Sequence, residues 1–214
     1  MGSGLPKALL PVAGRPMLAW SVDAAMASGV VDEIVVVAPA GRLRDVEVVL
    51  GADETLIVVP GGETRAHSVA AGLSAISVAA EVVLVHDAAR PLASAELFRA
   101  VYEAVTPHVD GAIAAAPLAD TLKRGGAAGI IEETLDRSGL WLAQTPQGFH
   151  VKSLRSAYAL LTDDEVADAT DCASIIERTQ GSVVLVASGA SNLKVTLPSD
   201  VSLAEYLLSV AGRP

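Results

Sequence analysis

The stretch Glu81-Val82-Val83-Leu84-Val85-His86-Asp87 decides the fold class, because four apolar residues, most of them β-branched, end abruptly in polar ones. Such a run predicts a strand buried on both faces. Similar runs predict strands at 33–38, 56–59, 111–116, 183–186 and 193–196. Helical spacing lies between them, at 16–28, 64–77, 94–104, 167–178 and 199–209, with Ser199 as the predicted N-cap of the last helix. This alternation predicts an α/β fold, with a mostly parallel sheet and helices on both of its faces.

One segment, 120–140, interrupts the alternation. Two short polar-alternating stretches flank a glycine-rich connection at 125–129, which predicts a β-hairpin. Because an isolated two-stranded hairpin is marginally stable in water, we expect this arm, taken as 118–140, to pack on a second subunit. The whole chain, 1–214, is otherwise expected to form a single domain.

Composition excludes several classes of protein. The 214 residues are 51% hydrophobic and 19% charged, which is too apolar for a disordered chain. A net charge of −10 argues against a nucleic-acid partner. No apolar run is long enough to span a membrane. The single cysteine, Cys172, excludes a disulfide framework and indicates a reducing compartment, so we expect a cytoplasmic protein without a signal peptide.

Glycines follow the predicted strand at 56–59. Gly61 and Gly62 would let the backbone approach a ligand, and a helix start, a natural anion site, comes next. Arg65 and Ser68 share a face of that helix. An ordinary glycine turn with a solvated arginine is an equally acceptable interpretation.

Two charged residues follow the predicted strand at 81–86. Asp87 could hold a sugar hydroxyl or a metal ion, and Arg90 could bind a phosphate or simply pair with Asp87 in a structural role. His86 is interpreted as a half-buried histidine with its hydrogen bonds satisfied rather than as a base. Cys172, within a helical pattern, is interpreted as a buried and inert thiol.

Two lysines complete the candidate set. Lys7 lies in a proline-flanked loop ahead of the first helix, where a solvated surface charge is the simpler interpretation. Lys194 falls on a predicted strand and therefore needs a partner or an anionic ligand. The sequence has neither a cluster with metal-ligand spacing nor a Gly-x-Ser-x-Gly motif. A sheet rim rich in lysine, arginine, threonine and glycine favours phosphoryl or nucleotidyl transfer.

Taken together, these segments resemble the 2-C-methyl-D-erythritol 4-phosphate cytidylyltransferase family. The matching segments occur in the family's order and cover nearly the whole chain: 6–12, 61–69, 86–91, 120–121, 145–149, 170–171 and 192–196. The resemblance implies a Rossmann-like nucleotidyltransferase fold. It also implies transfer of CMP from CTP to a small sugar-alcohol phosphate, with Mg²⁺ (or Mn²⁺) as cofactor and release of pyrophosphate.

The resemblance also assigns roles by position. Lys7 and Lys194 would be catalytic. CTP would be bound by Gly62, Arg65, Ser68, Asp87 and Ala88. The sugar phosphate would be held by Arg90, Thr145 and Thr170, and, from the arm of the other subunit of a homodimer, by Thr121 and Arg137. Asp87 would be at most a weak metal ligand, because the phosphates of CTP would hold most of the Mg²⁺.

The sequence departs from the family pattern at its N-terminus. Members carry an arginine seven residues before the lysine of the Pro-Lys pair, and counting back from Lys7 passes Met1. We therefore expect a first strand, a phosphate-cradling loop and that arginine to lie upstream of a misassigned start, and the chain as given to be poorly stable and nearly inactive. The alternatives are a cytidylyltransferase for ribitol 5-phosphate or a related polyol phosphate, and a truncated, impaired nucleotide-binding paralogue.

Overall fold

The computed structural model describes residues 6–51, 55–189 and 191–211. In this part of the chain there are ten strands and eight α-helices. The strands are β1 Pro11–Val12, β2 Arg15–Pro16, β3 Ile34–Ala38, β4 Leu56–Pro60, β5 Val82–Val85, β6 Gly111–Pro117, β7 Leu122–Gly125, β8 Ile131–Leu135, β9 Trp141–His150 and β10 Val183–Ala187. The helices are α1 Met17–Ala27, α2 Leu43–Leu50, α3 Arg65–Ala75, α4 Ala95–Ala104, α5 Val151–Leu160, α6 Asp163–Ala167, α7 Cys172–Arg178 and α8 Pro198–Val210.

The main sheet has four strands in the order β10-β6-β9-β5. β10 runs parallel to β6, with Val183 opposite Gly111. β9 is antiparallel to both of its neighbours, β5 and β6. β3 and β4 form a separate parallel pair. The α/β class is confirmed, although the antiparallel β9 in the middle makes the main sheet mixed rather than mostly parallel.

Helices cover both faces of the main sheet, as expected. On one face Ala112 and Ala114 of β6 pack against Val101 of α4 and against Val105, which follows the helix directly. On the other face Ile113, which lies between those alanines, packs with residues of α3, α5 and α7. The alternation of sides along β6 follows from the pleat of the strand, which turns successive side chains to opposite faces.

The main sheet and the β3–β4 pair meet along β5 and β3. Ile34 of β3 and Leu84 of β5 pack in one cluster with Ala24, Ala25 and Phe98 of α1 and α4. Each of the two strands has a hydrogen-bonded neighbour on one side only, within the described residues. The sheets therefore share a helical layer but not a continuous ladder of hydrogen bonds.

The arm is the predicted hairpin. β7 and β8 pair antiparallel, with Leu122 opposite Leu135, and the connection includes a short 3₁₀ turn at Ala127–Gly129. Most of its residues are exposed, including Ile130 and Ile131. No helix in the described parts of the chain has the length and apolar character needed to cross a membrane.

Several predicted elements are wrong. Residues 193–196 form no strand; the backbone bond found there among the described residues runs from the Val195 N–H to the Ala89 oxygen at 2.8 Å. The predicted helix at 167–178 is too long at its start: residues 168–171 are not helical, α7 begins at Cys172, and α6 ends at Ala167. Ser199 is not the N-cap of α8, because the helix already begins at Pro198 and Asp200 accepts the backbone N–H of Leu197. β9, α2 and α5 were not predicted.

Candidate active site

Asp87 lies at the centre of a charged cluster beyond the carboxyl end of β5. Its Oδ1 accepts a hydrogen bond from Arg65 Nε at 3.1 Å, and its Oδ2 accepts one from Lys194 Nζ at 2.8 Å. The carboxylate is 18% exposed, whereas the Lys194 side chain is 42% exposed. One buried carboxylate thus joins a cation from α3 and a cation from the segment that precedes α8.

The charge states follow from this arrangement. Burial by itself would raise the pKa of Asp87, but the Arg65 charge and the Lys194 hydrogen bond outweigh it and lower that pKa to about 2. Burial also disfavours the Arg65 cation, yet Cys172 and Asp87 raise its pKa above the ordinary value. Asp87 is therefore an anion between two cations, and the cluster has a net positive charge.

The glycine loop leads from β4 into α3. The side chain of Ser68 joins loop to helix: its Oγ accepts from Gly62 N at 3.2 Å and donates to the Thr64 oxygen at 2.9 Å. Thr64 caps α3 by accepting the His67 N–H. A β-carbon at Gly62 would lie 2.4 Å from the His67 Cβ, so only glycine fits this tight approach. The positive end of α3 thus lies next to Arg65.

Arg90 turns its guanidinium towards main-chain oxygens. Its Nη1 donates to the Asn192 oxygen at 2.8 Å and its Nη2 to the Ala143 oxygen at 3.5 Å. Burial lowers the pKa of Arg90, and the Asp87 charge opposes this shift. The structural Asp87–Arg90 pair considered above does not form, because Arg65 and Lys194 occupy both oxygens of Asp87. Arg90 instead fastens the segment that carries Lys194 to β9.

Buried amides surround this attachment. Asn192 Nδ2 donates to Gln144 Oε1 at 2.7 Å and to the Thr145 oxygen at 3.0 Å. Gln147 donates to Asp171 Oδ2 at 2.8 Å and accepts from Cys172 N at 3.0 Å. These three amides hold β9 to the segments on either side of it.

Thr145 and Thr170 differ in position. Thr145 is buried on β9, and its Oγ1 accepts from Asp87 N at 3.0 Å. Thr170 is exposed, next to Asp171, the N-cap of α7. Cys172 is fully buried, as expected for an inert thiol, and burial raises its pKa to about 11. Its Sγ lies 3.6 Å from Arg65 Nη1, which brings Thr170 to the same side of the sheet as Arg65.

Lys7 and Ala88 lie at the edge of the cluster. Ala88 packs with Leu9, which belongs to the short turn Lys7–Leu9, and with Ala38 at the end of β3. The pKa of Asp200 is lowered mainly by backbone hydrogen bonds from 196–197, and the Lys7 charge contributes to the same shift. The turn that carries Lys7 therefore packs beside the site, and the Lys7 charge acts on Asp200 of α8.

Thr121 and Arg137 are not part of the cluster. Both are exposed, and both lie on the arm, where the Arg137 main-chain oxygen accepts the Leu140 N–H. Within one chain the structure therefore brings together Gly62, Arg65, Ser68, Asp87, Ala88, Arg90, Thr145 and Lys194, and leaves the two arm residues apart.

The described residues do not form a metal site of their own. No three His, Cys, Asp or Glu side chains within them group closely enough to hold a metal ion. Asp87, the expected weak ligand, has both oxygens engaged by cations. In this arrangement the protein side chains alone do not fit Mg²⁺.

Sequence reasoning missed the polar residues that support the cluster. Gln144, Gln147 and Asn192 are all less than a tenth exposed and all hydrogen bonded. The available signal was a run of polar residues, 144–147, between the apolar ends of an element. Because that run includes Pro146 and is followed by Gly148, it resembled a loop rather than the middle of a buried strand.

The fold and the positive cluster at this edge of the sheet are those of a nucleotidyltransferase. The family model of 2-C-methyl-D-erythritol 4-phosphate cytidylyltransferase (IspD) matches residues 1–210. The chain belongs to this family.

Individual relatives agree. The chain is 41% identical to the 2-C-methyl-D-erythritol 4-phosphate cytidylyltransferase of Prochlorococcus marinus (strain MIT 9313), over 98% of this chain and 93% of that protein. It is also 41% identical to the protein of that name from Saccharopolyspora erythraea, with the same coverage. The crystal structure of the Thermus thermophilus protein of that name matches with a TM-score of 0.81 and 33% identity, over 95% of this chain and 94% of that one.

Proposed function

We propose that this chain transfers CMP from CTP to 2-C-methyl-D-erythritol 4-phosphate, giving CDP-methylerythritol and pyrophosphate. The observation that carries the proposal is the Arg65–Asp87–Lys194 cluster beside the glycine loop. A triphosphate needs several cations and a close backbone approach, and both are present at one edge of the sheet. Family membership supports the choice of cytidylyl transfer.

The reaction is an in-line displacement. A phosphate oxygen of the sugar alcohol attacks the α-phosphorus of CTP, and the bond from that phosphorus to the bridging oxygen of the β-phosphate breaks. Negative charge builds on the oxygens around the phosphorus and on the leaving pyrophosphate. Fixed cations that meet this charge lower the barrier without a covalent intermediate.

Lys194 and Arg65 are placed to supply that charge. The Lys194 ammonium has three donors, one of which is donated to Asp87, and the other two have no partner within the described residues. Arg65 donates from Nε to Asp87 and from Nη1 to Cys172, and in the part of the chain that the structure describes Nη2 remains for a ligand. In this proposal Asp87 sets the spacing of the two cations, and Lys7 neutralises the triphosphate from the neighbouring turn. Gly62, Ser68 and Ala88 shape the nucleotide pocket, while Arg90, Thr145 and Thr170 border the sugar phosphate.

Magnesium enters the proposal with the nucleotide. Mg²⁺, or Mn²⁺, would be held by the phosphate oxygens of CTP and would neutralise part of their charge. If instead the Asp87 carboxylate were a ligand, Asp87→Asn would raise the Mg²⁺ concentration needed for half-maximal CTP binding, which a titration measures.

We also propose a homodimer joined through the arm. Exposed apolar side chains extend from the arm into the start of β9: Ile130, Ile131, Leu140, Trp141 and Leu142. Covering this surface with a second copy would remove it from water and would carry Thr121 and Arg137 towards the other subunit's site. The cytoplasmic location expected from the single cysteine stays a prediction.

Substrate choice is tested by incubating residues 1–214 with CTP and either methylerythritol phosphate or ribitol 5-phosphate, with mass-spectrometric detection of the CDP-alcohol. We expect CDP-methylerythritol from residues 1–214, formed slowly and detected as it accumulates with time, because the chain as given is expected to have very low activity. Product from ribitol 5-phosphate alone would establish the related polyol-phosphate activity. Tight CTP binding without product from either alcohol would establish an impaired nucleotide-binding paralogue.

Two lysine variants test the cluster. Lys194→Met should lower kcat/KM by about a hundredfold or more, since it removes a charge that acts on the transition state. Lys152→Met is the matched control, because Lys152 is exposed on α5 and lines a different groove. Equal activity of the two variants would contradict the role of Lys194.

The dimer is tested by sedimentation equilibrium. Ile131→Asp places a charge on the exposed apolar surface of the arm and should shift the protein towards monomers. Val48→Asp, at another exposed position on α2, should leave the association constant unchanged. A monomeric wild-type protein at micromolar concentration would overturn this part of the proposal.

A further inference from the structure

His86 joins three parts of the candidate site through its two ring nitrogens. Nδ1 lies 3.0 Å from Thr145 Oγ1, and Nε2 lies 3.2 Å from the main-chain oxygen of Arg90. The ring of Phe98 is next to it, with centroids 4.9 Å apart. A carbonyl oxygen only accepts, so the imidazole proton is on Nε2, and Nδ1 presents a lone pair to the Thr145 hydroxyl.

The Thr145 hydroxyl continues the same chain of hydrogen bonds. Its oxygen accepts the Asp87 N–H at 3.0 Å, and its single proton is therefore given to His86 Nδ1. The order is Asp87 N–H to Thr145 Oγ1, Thr145 O–H to His86 Nδ1, and His86 Nε2–H to the Arg90 oxygen. Every donor in this series of hydrogen bonds points the same way, so moving the imidazole proton from Nε2 to Nδ1 would change the bonds at both ring nitrogens.

These three hydrogen bonds hold the main chain at Asp87 and at Arg90. Asp87 and Arg90 are further tied to each other, because the Arg90 N–H donates to the Asp87 oxygen at 2.9 Å. The carboxylate that spaces Arg65 and Lys194 therefore starts from a main-chain position held by β9 through Thr145. Burial keeps the imidazole neutral and lowers the pKa of His86 to about 4, although the Asp87 charge opposes the shift.

We propose that His86 is a positioning residue: its neutral, Nε2-protonated ring orients the Thr145 hydroxyl, which holds the Asp87 main chain and so the spacing of Arg65 and Lys194. It does not act as a base. Thr145 then serves the site through Asp87, with its proton directed inwards rather than to a substrate phosphate. The activity consequence rests on the proposed function, whereas the hydrogen-bond order does not.

The tautomer is tested directly on the wild-type chain by ¹⁵N–¹H correlation spectra of protein labelled at its four histidines. We expect one ring, absent in His86→Gln, with the proton on Nε2 and no protonation between pH 8 and pH 5. A proton on Nδ1, or protonation near the ordinary histidine pKa, would overturn the proposal whether or not the chain is active.

A double-mutant cycle tests the coupling. His86→Leu and Thr145→Val each remove one partner of the same hydrogen bond while keeping much of its volume. Each breaks the shared bond and one further bond and should weaken CTP binding by about tenfold, whereas the double variant should weaken it by clearly less than the product of the two factors. Roughly a hundredfold in the double variant would mean independent packing effects and would contradict the proposal.

Rescue variants separate positioning from packing. His86→Asn keeps an acceptor near the Nδ1 position and should retain more CTP affinity than His86→Leu, which has a similar size and shape but no polar atom. Equal affinity of the two would count against the orienting role. If the wild-type chain binds no CTP while the Nε2-protonated ring is observed, the proposed function fails and the assignment of the hydrogen bonds stands.

Discussion

The main sheet and the β3–β4 pair are built from equally apolar sequences but are buried to different degrees. In β6, six consecutive residues, 111–116, are buried, whereas β4 has no buried residue and β3 has two. The difference is in their neighbours: β6 has a strand on each side, and β3 and β4 have one each among the described residues. An apolar run therefore predicts a strand, but its burial depends on partners that are distant in sequence.

The largest expected effect comes from the same substitution in the two sheets. Ile113→Ala, at a position 5% exposed on β6, should cost about 4 kcal/mol of unfolding free energy, because it leaves a cavity among α3, α5 and α7. Ile57→Ala, at a position 37% exposed on β4, should cost about 1 kcal/mol. Urea unfolding measures both, and equal costs would show that the two sheets are buried alike in solution.

Lowering the pH should destabilise the protein through two groups that follow β5, where the main sheet meets the β3–β4 pair. The pKa of His86 is lowered from 6.5 to about 4 and that of Asp87 from 3.8 to about 2. Because both values are lower in the folded state, the unfolded chain binds protons first. Stability should fall as the pH drops from about 6.5 to 4 through His86, by at most about 3 kcal/mol, and further from about 4 to 2 through Asp87.

Melting temperatures across this pH range check the titration, with His86→Gln as the comparison. The variant should lose the part of the pH dependence between about 6.5 and 4 and keep the part below about 4. Parallel curves for variant and wild type would show that His86 is not the responsible group.

The smallest expected effect comes from helix caps on the two sheets. Thr64 caps α3, which packs on β3 and β4, and Ser94 caps α4, which packs on β6. Thr64→Ala and Ser94→Ala should each cost about 1 kcal/mol. In hydrogen exchange, Thr64→Ala should increase the exchange rates of the amides in β3 and β4. Ser94→Ala should increase the exchange rates in the main sheet only through global unfolding. Uniform acceleration in both variants would indicate that the sheets open as one unit.

Local patterns predicted most of the fold but not its exceptions. The apolar runs located β3, β4, β5, β6 and β10, and the glycine-rich turn located the arm. β9 was missed because its buried residues 144–148 include three that are polar, one proline and one glycine, and only their partners on other strands make such a strand stable. Residues 193–196 were wrongly predicted as a strand. In this segment and just before it, Asn192 is buried in a hydrogen-bond network and Val195 in an apolar cluster, and neither burial depends on strand pairing.

The candidate site shows the same limit. Charged residues at strand ends indicated Asp87, Arg65 and Lys194, because an anionic ligand needs such groups at that edge. The pairing of both cations with one carboxylate was not predictable, since it depends on the meeting of segments 107 positions apart. The direction of Arg90, towards main-chain oxygens, depends on Asn192 and β9, and no local pattern contains that information.

Because Cys172 is buried, the rate at which its thiol is alkylated reports how often the surrounding core opens. It is the only thiol in the chain, it is 0% exposed, and it lies in the apolar cluster that covers one face of the main sheet. An alkylating reagent can reach it only after that cluster separates, and it then reacts with a thiol that burial no longer protects. The ratio of alkylation rates in the folded and unfolded chain then gives the free energy of the opening that exposes Cys172, without any substitution.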